Sequence, residues 1–283
     1  MKLLHPSPLH LTSHGRGDPP VVLVHGFGAH GHFWRKWIPA LAEKHRTHVV
    51  DLMGFGNAET PAWGDYSPSA QARHLAELLR RIDGAPPILI GHSLGAGIAL
   101  AAAFLLRDEG LGVPLGGLVV VSGAIYPQRF PRYLSLARLP LLGLLFLVAP
   151  PPRWLMWKGL RGIVGDPKTV DAEQVEGYLE PLKSLARRRA ILRAARQLDL
   201  SEARSLSDRI PELDLPTLIV WGKDDSIVPP ELGIRLSREV RRSDLVLLDG
   251  VGHLPPEEAP ERSLLPVTSF LAARRAEHDE TAP

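Results

Sequence analysis

Six short apolar runs recur along this chain of 283 residues, and glycine, proline or aspartate bounds them. The runs are continuously apolar rather than alternating, which is typical of strands buried on both faces of a parallel sheet. Their positions are Val21–His25, His48–Leu52, Pro87–His92, Gly117–Ser122, Thr217–Gly222 and Asp244–Asp249. The pattern therefore predicts a mostly parallel central sheet.

Longer segments with helical spacing separate these runs. In Ser67–Ile82, for example, Leu75 and Leu79 belong to a set of apolar residues that approximates the i, i+3, i+4 spacing of a one-sided helix. The predicted helices are Phe33–Lys44, Ser67–Ile82, Leu94–Arg107, Pro230–Val240 and Pro256–Ala276. Alternating strands and helices predict an α/β fold built from βαβ units with right-handed crossovers, so that helices flank the sheet.

The alternation stops between Ala124 and Ile210, where helical spacing and prolines continue but no convincing strand occurs. A connection this long is usually a structured insertion rather than a loop. We therefore predict a core domain of residues 1–123 and 211–283 and a helical cap domain of residues 124–210. The apolar run Leu141–Ala149 in the cap is far below the roughly 20 residues that span a bilayer, so we expect no stable membrane insertion.

The composition of the chain excludes several kinds of partner and several kinds of site. Lys and Arg total 33 against 31 Asp and Glu, and a net charge of +2 does not indicate a nucleic-acid partner. Cysteine is absent, which excludes disulfides, thiolate metal sites and a cysteine nucleophile. The first residues show no signal-peptide pattern, so we expect a cytoplasmic protein, as a monomer or a homodimer.

One glycine-rich stretch carries a candidate nucleophile. Gly91-His92-Ser93-Leu94-Gly95 fits the G-x-S-x-G pattern and lies between a predicted strand and a predicted helix. In that context the serine occupies a sharp turn that exposes its hydroxyl, and glycine relieves the crowding beside it. A tight glycine turn with an inert serine gives the same pattern, so Ser93 needs partners elsewhere in the chain.

A serine nucleophile needs a histidine to accept its proton. Three histidines lie at or after predicted strand ends: His25, His92 and His253. We expect the side chain of His92 to point away from Ser93, and His25 to organise its loop by hydrogen bonding. His253 follows the last predicted strand on a glycine-flanked loop, at the same sheet edge as the turn, and is the candidate base.

The imidazole in turn needs an acid that orients it. Asp224 and Asp225 both follow the predicted strand Thr217–Gly222, and one of them could instead cap the helix that begins near Pro230. For the oxyanion hole we expect two backbone donors: the N–H of Leu94, directly after the nucleophile, and the N–H of Phe27, in the loop after the first buried strand.

Five ordered motifs resemble the α/β-hydrolase superfamily over almost the whole chain. They are HGFG at His25–Gly28, DLMGFG at Asp51–Gly56, GHSLGAG at Gly91–Gly97, WGKDDSIVP at Trp221–Pro229 and DGVGH at Asp249–His253. The resemblance implies that Asp225 rather than Asp224 is the acid of a triad with Ser93 and His253. It also implies that residues 124–210 form the cap that such enzymes carry.

These residues together predict a serine hydrolase that cleaves small to medium apolar carboxylic esters, without a metal or organic cofactor. Trp154, Met156 and Trp157 of the cap either line an apolar substrate pocket or form the cap's own core. Haloalkane dehalogenases and epoxide hydrolases resemble this fold but use an aspartate nucleophile, so Ser93 argues against both.

Three rival functions remain open at this stage. The first is hydrolysis of a carbon–carbon bond in a vinylogous diketone, for which Arg129 or Arg132 could bind a carboxylate. The second is haloperoxidase-like chemistry, against which the large cap argues. The third is a non-catalytic ligand receptor on the same fold, which would have no need for the complete set of Ser93, Asp225 and His253.

Overall fold

The computed structural model describes residues 7–110, 113–131, 134–135 and 139–281. Seven strands form one sheet: β1 (His10–His14), β2 (Val21–Val24), β3 (Thr47–Asp51), β4 (Ile88–His92), β5 (Gly117–Val121), β6 (Thr217–Gly222) and β7 (Ser243–Leu248). Their order across the sheet is β1-β3-β2-β4-β5-β6-β7. Only the β1–β3 pair is antiparallel among these strands.

Apolar side chains cover both faces of the central strands. Every residue of β2, β4 and β5 is buried, which explains why their sequences are continuously apolar. One buried cluster lies on each face, and the two contain Leu89 and Ile90 respectively, which are neighbours in β4. The predicted α/β fold with a mostly parallel sheet is therefore confirmed.

Helices cover both faces of this sheet and fill the long connection after β5. The described α-helices are α1 (Ile38–Ala42), α2 (Pro68–Leu79), α3 (Leu94–Asp108), α4 (Pro140–Val148), α5 (Arg153–Arg161), α6 (Ala172–Leu179), α7 (Leu185–Gln197), α8 (Leu200–Ser207), α9 (Pro230–Glu239), α10 (Pro255–Glu258) and α11 (Pro260–Thr281). Helices α4 to α8 lie between β5 and β6. Within the described part of residues 124–210 no strand occurs, as the sequence pattern predicts.

Two predicted helices are each divided in two. In place of one helix over Phe33–Lys44, a 3-10 turn at Gly31–Trp34 precedes the short α1. Pro39 is the second residue of α1, and proline is favoured in the first turn because the N–H donor that it lacks would have no partner there. Pro260 similarly begins α11 after the four-residue α10.

Candidate active site

Ser93 occupies a sharp turn between β4 and α3. Its φ of 51° and ψ of −120° lie in a region that non-glycine residues rarely adopt. Its N–H donates to Val121 of β5 and its carbonyl accepts from Ala124, so neighbouring backbone holds the turn on both sides. The strained conformation persists because the surrounding structure over-determines it.

The two glycines that flank Ser93 are required by close backbone packing. A Cβ atom on Gly95 would lie 2.3 Å from the carbonyl oxygen of His25 and 2.4 Å from that of Val24. A Cβ atom on Gly91 would lie 2.4 Å from the Cα of Ala96. All these contacts are shorter than real Cβ atoms make, and each involves backbone that cannot swing aside. The sequence-based explanation for the glycines is confirmed.

Ser93, His253 and Asp225 form one chain of hydrogen bonds. The Nε2 atom of His253 lies 3.1 Å from Oγ of Ser93, and its Nδ1 atom lies 2.9 Å from Oδ2 of Asp225. The carboxylate accepts a hydrogen bond from Nδ1–H, which leaves Nε2 as the acceptor for the serine hydroxyl. The three residues are 9%, 5% and 5% exposed respectively, so water has little access to the pair of bonds.

The buried position of Asp225 distinguishes it from its neighbour. Asp224 is exposed, whereas Oδ1 of Asp225 accepts from the N–H groups of Ile227 and Val228, both at 2.9 Å. These bonds orient the carboxylate and leave Oδ2 for His253. Neither aspartate caps the following helix, because α9 has Pro229 at its N-cap position.

The loop that carries His253 is held by groups from elsewhere in the chain. Its N–H donates to the carbonyl of Ile163 in the insertion at 2.8 Å. Its carbonyl accepts from Nε2 of His92 at 2.8 Å, so the histidine before the nucleophile contacts the candidate base from behind. As expected from the sequence, the side chain of His92 points away from that of Ser93. Its ring stacks on Phe33.

Glu258 of α10 holds this loop through three hydrogen bonds. Its two carboxylate oxygens accept from the N–H groups of Gly252, Leu254 and Gly165, at 2.8, 2.8 and 2.7 Å. One carboxylate therefore joins both sides of His253 to the insertion. Burial raises the pKa of Glu258, and these three backbone bonds oppose that rise. The sequence pattern does not single out Glu258, because nothing separates it from the adjacent Glu257 without the fold.

Two buried histidines beneath the turn are held neutral. Burial lowers the pKa of His25 to about 4 and lowers that of His92 well below its ordinary value. The Nδ1–H of His25 donates to the carbonyl of Gly26, and its Nε2 accepts from the N–H of Leu52. His25 is thus the loop-organising residue that the sequence predicts, with both ring nitrogens already bonded.

Phe27 and Leu94 lie beside Ser93 in the wall of one cavity of about 410 Å³. Leu94 is the first residue of α3, where backbone N–H groups have no partner within the helix. A Cβ atom on Gly26 would lie 3.0 Å from Cβ of Ser93, so a glycine there lets the Phe27 loop approach the nucleophile. The two predicted oxyanion donors therefore belong to a loop and a helix N-terminus that converge on Ser93.

The cavity wall is mostly apolar, but its source differs from our expectation. Its residues come from α2, α3, the start of the insertion and α8, and include Ala72, Ala101, Phe104, Tyr126, Phe130, Leu200 and Leu206. Trp154, Met156 and Trp157 are not among them. Trp154 is 65% exposed, whereas Met156 and Trp157 pack against the apolar cluster that contains Leu160. These residues therefore do not line the cavity beside Ser93, and Trp154 and Trp157 line a separate pocket on α5 instead.

Asp51 explains the glycine motif after β3. Its carboxylate accepts from the N–H of Gly31 at 2.6 Å and from that of Asn57 at 2.7 Å. A Cβ atom on Gly56 would lie 2.2 Å from one of its oxygens. The motif therefore closes a loop around one carboxylate, at the same edge of the sheet as the candidate site.

The chain belongs to the alpha/beta hydrolase family, whose model matches residues 21–264. An uncharacterized hydrolase of Bacillus subtilis is 30% identical over 260 residues, which are 90% of each chain. The 2-hydroxy-6-oxononadienedioate/2-hydroxy-6-oxononatrienedioate hydrolase of Burkholderia vietnamiensis is 27% identical and matches 93% of this chain and 90% of its own.

A solved structure of similar sequence is the thermophilic esterase of Thermogutta terrifontis. It superimposes with a TM-score of 0.73 at 26% identity, over 94% of this chain and 93% of the esterase. The relatives thus include an ester hydrolase and a hydrolase of a hydroxy-oxo dienedioate. Among the described residues of the present chain, no helix has both the length and the apolar content to cross a membrane.

Proposed function

We propose that this protein hydrolyses carboxylic esters through an acyl-enzyme on Ser93, with His253 as base and Asp225 as the acid that orients it. The observation that carries the proposal is the continuous chain of hydrogen bonds from Asp225 through His253 to Oγ of Ser93. The similarity to an esterase over most of the chain supports it further.

In the proposed reaction, Oγ of Ser93 attacks the ester carbonyl while its proton passes to Nε2 of His253. The N–H groups of Leu94 and Phe27 stabilise the oxyanion of the tetrahedral intermediate. The imidazolium then protonates the leaving alkoxide, so the C–O bond breaks and an acyl-serine remains. Water attacks this ester with His253 again as base, which releases the carboxylic acid and restores the serine. Each step uses only groups of this chain, the substrate and water.

We further propose that residues 124–210 act as the cap domain of this enzyme. Helix α8 contacts α3, and the loop after α5 contacts the loop of His253. The insertion therefore supplies walls of the cavity as well as a support for the base. A mostly apolar wall favours small to medium apolar esters.

The test is hydrolysis of p-nitrophenyl butyrate by wild-type protein and by Ser93→Ala. We expect kcat to fall by a factor of about 10⁴ to 10⁶, because attack by the serine is lost. Ser122→Ala is the matched control. Ser122 also follows a strand, has a φ of 46° and is fully buried. Its Oγ has no hydrogen-bond partner among the described residues. Retained ester hydrolysis in Ser93→Ala would overturn the mechanism.

Hydrolysis of a carbon–carbon bond is the second candidate, and one observation favours it. Arg129 lines the cavity that contains Ser93, where a guanidinium can pair with a substrate carboxylate. Arg132, the other candidate from the sequence, lies outside the described residues. Loss of the visible absorbance of a 2-hydroxy-6-oxo-dienoate, with no cleavage of p-nitrophenyl butyrate, would favour this function over ester hydrolysis.

A ligand receptor would give a different result from either enzyme. A fluorophosphonate reacts with a serine that a base activates, so we expect it to label wild-type protein and not Ser93→Ala. Folded wild-type protein that stays unlabelled while it binds an apolar ligand would indicate a receptor.

A further inference from the structure

The cavity beside Ser93 continues along one face of α3. The residues of α3 that line it are Leu94, Gly97, Ala101, Phe104 and Leu105. Spacings of three and four place such residues in one stripe on a helix. Ten residues separate Leu94 from Phe104, which corresponds to about 15 Å at the helical rise of about 1.5 Å per residue. The cavity is therefore a slot rather than a round pocket.

Apolar side chains from the insertion face this stripe. They are Ile125, Tyr126, Phe130, Leu134, Leu200 and Leu206. The end far from Ser93 is polar: the guanidinium of Arg209 lies 4.3 Å over the ring of Phe104 and pairs with Asp108. The slot is mostly apolar, although polar side chains such as Gln128 and Glu202 also belong to its wall and its outer end is charged. Such a slot fits a linear alkyl group whose length matches it.

The position of the base tells which half of an ester enters the slot. His253 must protonate the leaving alcohol, so the alcohol lies beside its Nε2 atom. Among the described residues, the wall of the slot includes Ser93 and Leu94 but not His253. Since the acyl group is the part that stays bonded to Oγ of Ser93, the slot extends from the acyl side.

We propose that this slot binds the acyl chain of linear carboxylic esters of about eight to twelve carbons, and that Ala101 sets the accepted length. This proposal rests on the ester hydrolysis proposed above. C–C bonds of about 1.5 Å at an angle of about 111° advance an extended chain by about 1.25 Å per carbon, so about 15 Å holds about twelve carbons. Ala101 lies seven residues beyond Leu94, or about 10 Å along the slot, which is about eight carbons.

The test is the kcat/KM of a p-nitrophenyl ester series from acetate to palmitate, for wild type and Ala101→Phe. We expect wild-type kcat/KM to rise at least about tenfold from acetate to decanoate and to fall for palmitate, because buried methylene groups add binding until the slot is full. In Ala101→Phe the phenyl ring fills the slot, so we expect decanoate to lose at least about thirtyfold and acetate less than about threefold. Ala272→Phe makes the same change at an exposed position of α11 outside the slot, and we expect it to follow wild type.

Binding of decanoate anion, measured by calorimetry on the same proteins, separates failure of the slot from failure of the proposed function. Decanoate that binds wild type more tightly than Ala101→Phe, without any ester cleavage, would support the slot and overturn ester hydrolysis. Ser93-dependent cleavage with highest kcat/KM for acetate and no decanoate binding would overturn the slot and keep ester hydrolysis. Equal loss of acetate and decanoate activity in folded Ala101→Phe would also overturn the role of Ala101.

Discussion

The nucleophile turn and the loop of the base are built in different ways. The turn depends on residues close to Ser93 in the chain and on the strands beside it, with Gly91 and Gly95 in contact with backbone. The base loop depends on distant groups: a carbonyl of the insertion, the ring of His92 and the carboxylate of Glu258. Steric exclusion therefore shapes the first region, whereas hydrogen bonds from other elements shape the second.

Apart from the loss of Ser93 itself, the largest effect is expected at Asp225, which orients the base toward the nucleophile. Asp225→Asn keeps the size of the side chain but cannot fix the tautomer of His253, so we expect kcat for p-nitrophenyl butyrate to fall about 10⁴-fold. Asp224→Asn is the matched control, since Asp224 is exposed beside it. A loss of similar size in both variants would mean that the acid has been assigned wrongly.

A substitution in the nucleophile turn should lower the free energy of unfolding. In Gly95→Ala the new methyl group meets two backbone carbonyls, and we expect the free energy of unfolding to fall by about 3 kcal/mol or more in urea titrations. Gly159→Ala is the control, because Gly159 lies within α5 with nothing near a Cβ atom. There we expect stabilisation of up to about 1 kcal/mol. An unchanged Gly95→Ala protein would contradict the steric origin of the turn.

The base loop should become less stable when one hydrogen-bond acceptor is lost. Glu258→Gln replaces a carboxylate oxygen with an NH₂ donor that faces backbone N–H groups, so we expect about 1–3 kcal/mol of destabilisation. Because these bonds position His253, we also expect a lower kcat with little change in KM. Glu261→Gln, at an exposed glutamate nearby, should leave both quantities close to wild type. A normal kcat in Glu258→Gln would show that Glu258 does not position the base.

The smallest expected effect is the pH dependence of stability. Burial lowers the pKa of His25 from 6.5 to about 4, so below pH 6.5 the unfolded chain takes up a proton that the folded chain excludes. The free energy of unfolding should therefore fall on acidification through that window, by at most about 1.4 kcal/mol per pH unit for this group. Urea titrations at about pH 7.5 and about pH 5 measure it, and His25→Gln should reduce the slope.

Glu258, which holds the base loop, should change the stability with pH in the opposite direction. The raised pKa of Glu258 means that the folded chain keeps a proton that the unfolded chain loses, so this group costs stability as the pH rises above about 4.5. Comparing the pH slopes of His25→Gln and Glu258→Gln separates the contributions of the two regions. Slopes that change in the same direction would contradict the opposite pKa shifts.

The pattern of apolar residues in the sequence was sufficient to predict much of the core. Continuous apolar runs predicted the buried strands β2 to β6, because a strand covered on both faces needs apolar residues at every position. The helix predictions were less accurate near Pro39 and Pro260, where a missing N–H donor divides one periodic segment into two elements. The pattern of apolar positions continues across such breaks and does not reveal them.

The sequence by itself determined the family, the order of the candidate residues Ser93, Asp225 and His253, and the need for glycine beside Ser93. These follow from short stretches in which local spacing carries the chemistry. Only the tertiary structure decided that Asp225 is buried against His253, that Glu258 joins the base loop to the insertion, and that α3 rather than the tryptophans of α5 lines the cavity. The reason is physical: hydrogen bonds and cavity walls depend on contacts between residues far apart in the chain, and helical periodicity does not say which neighbour an apolar face will meet.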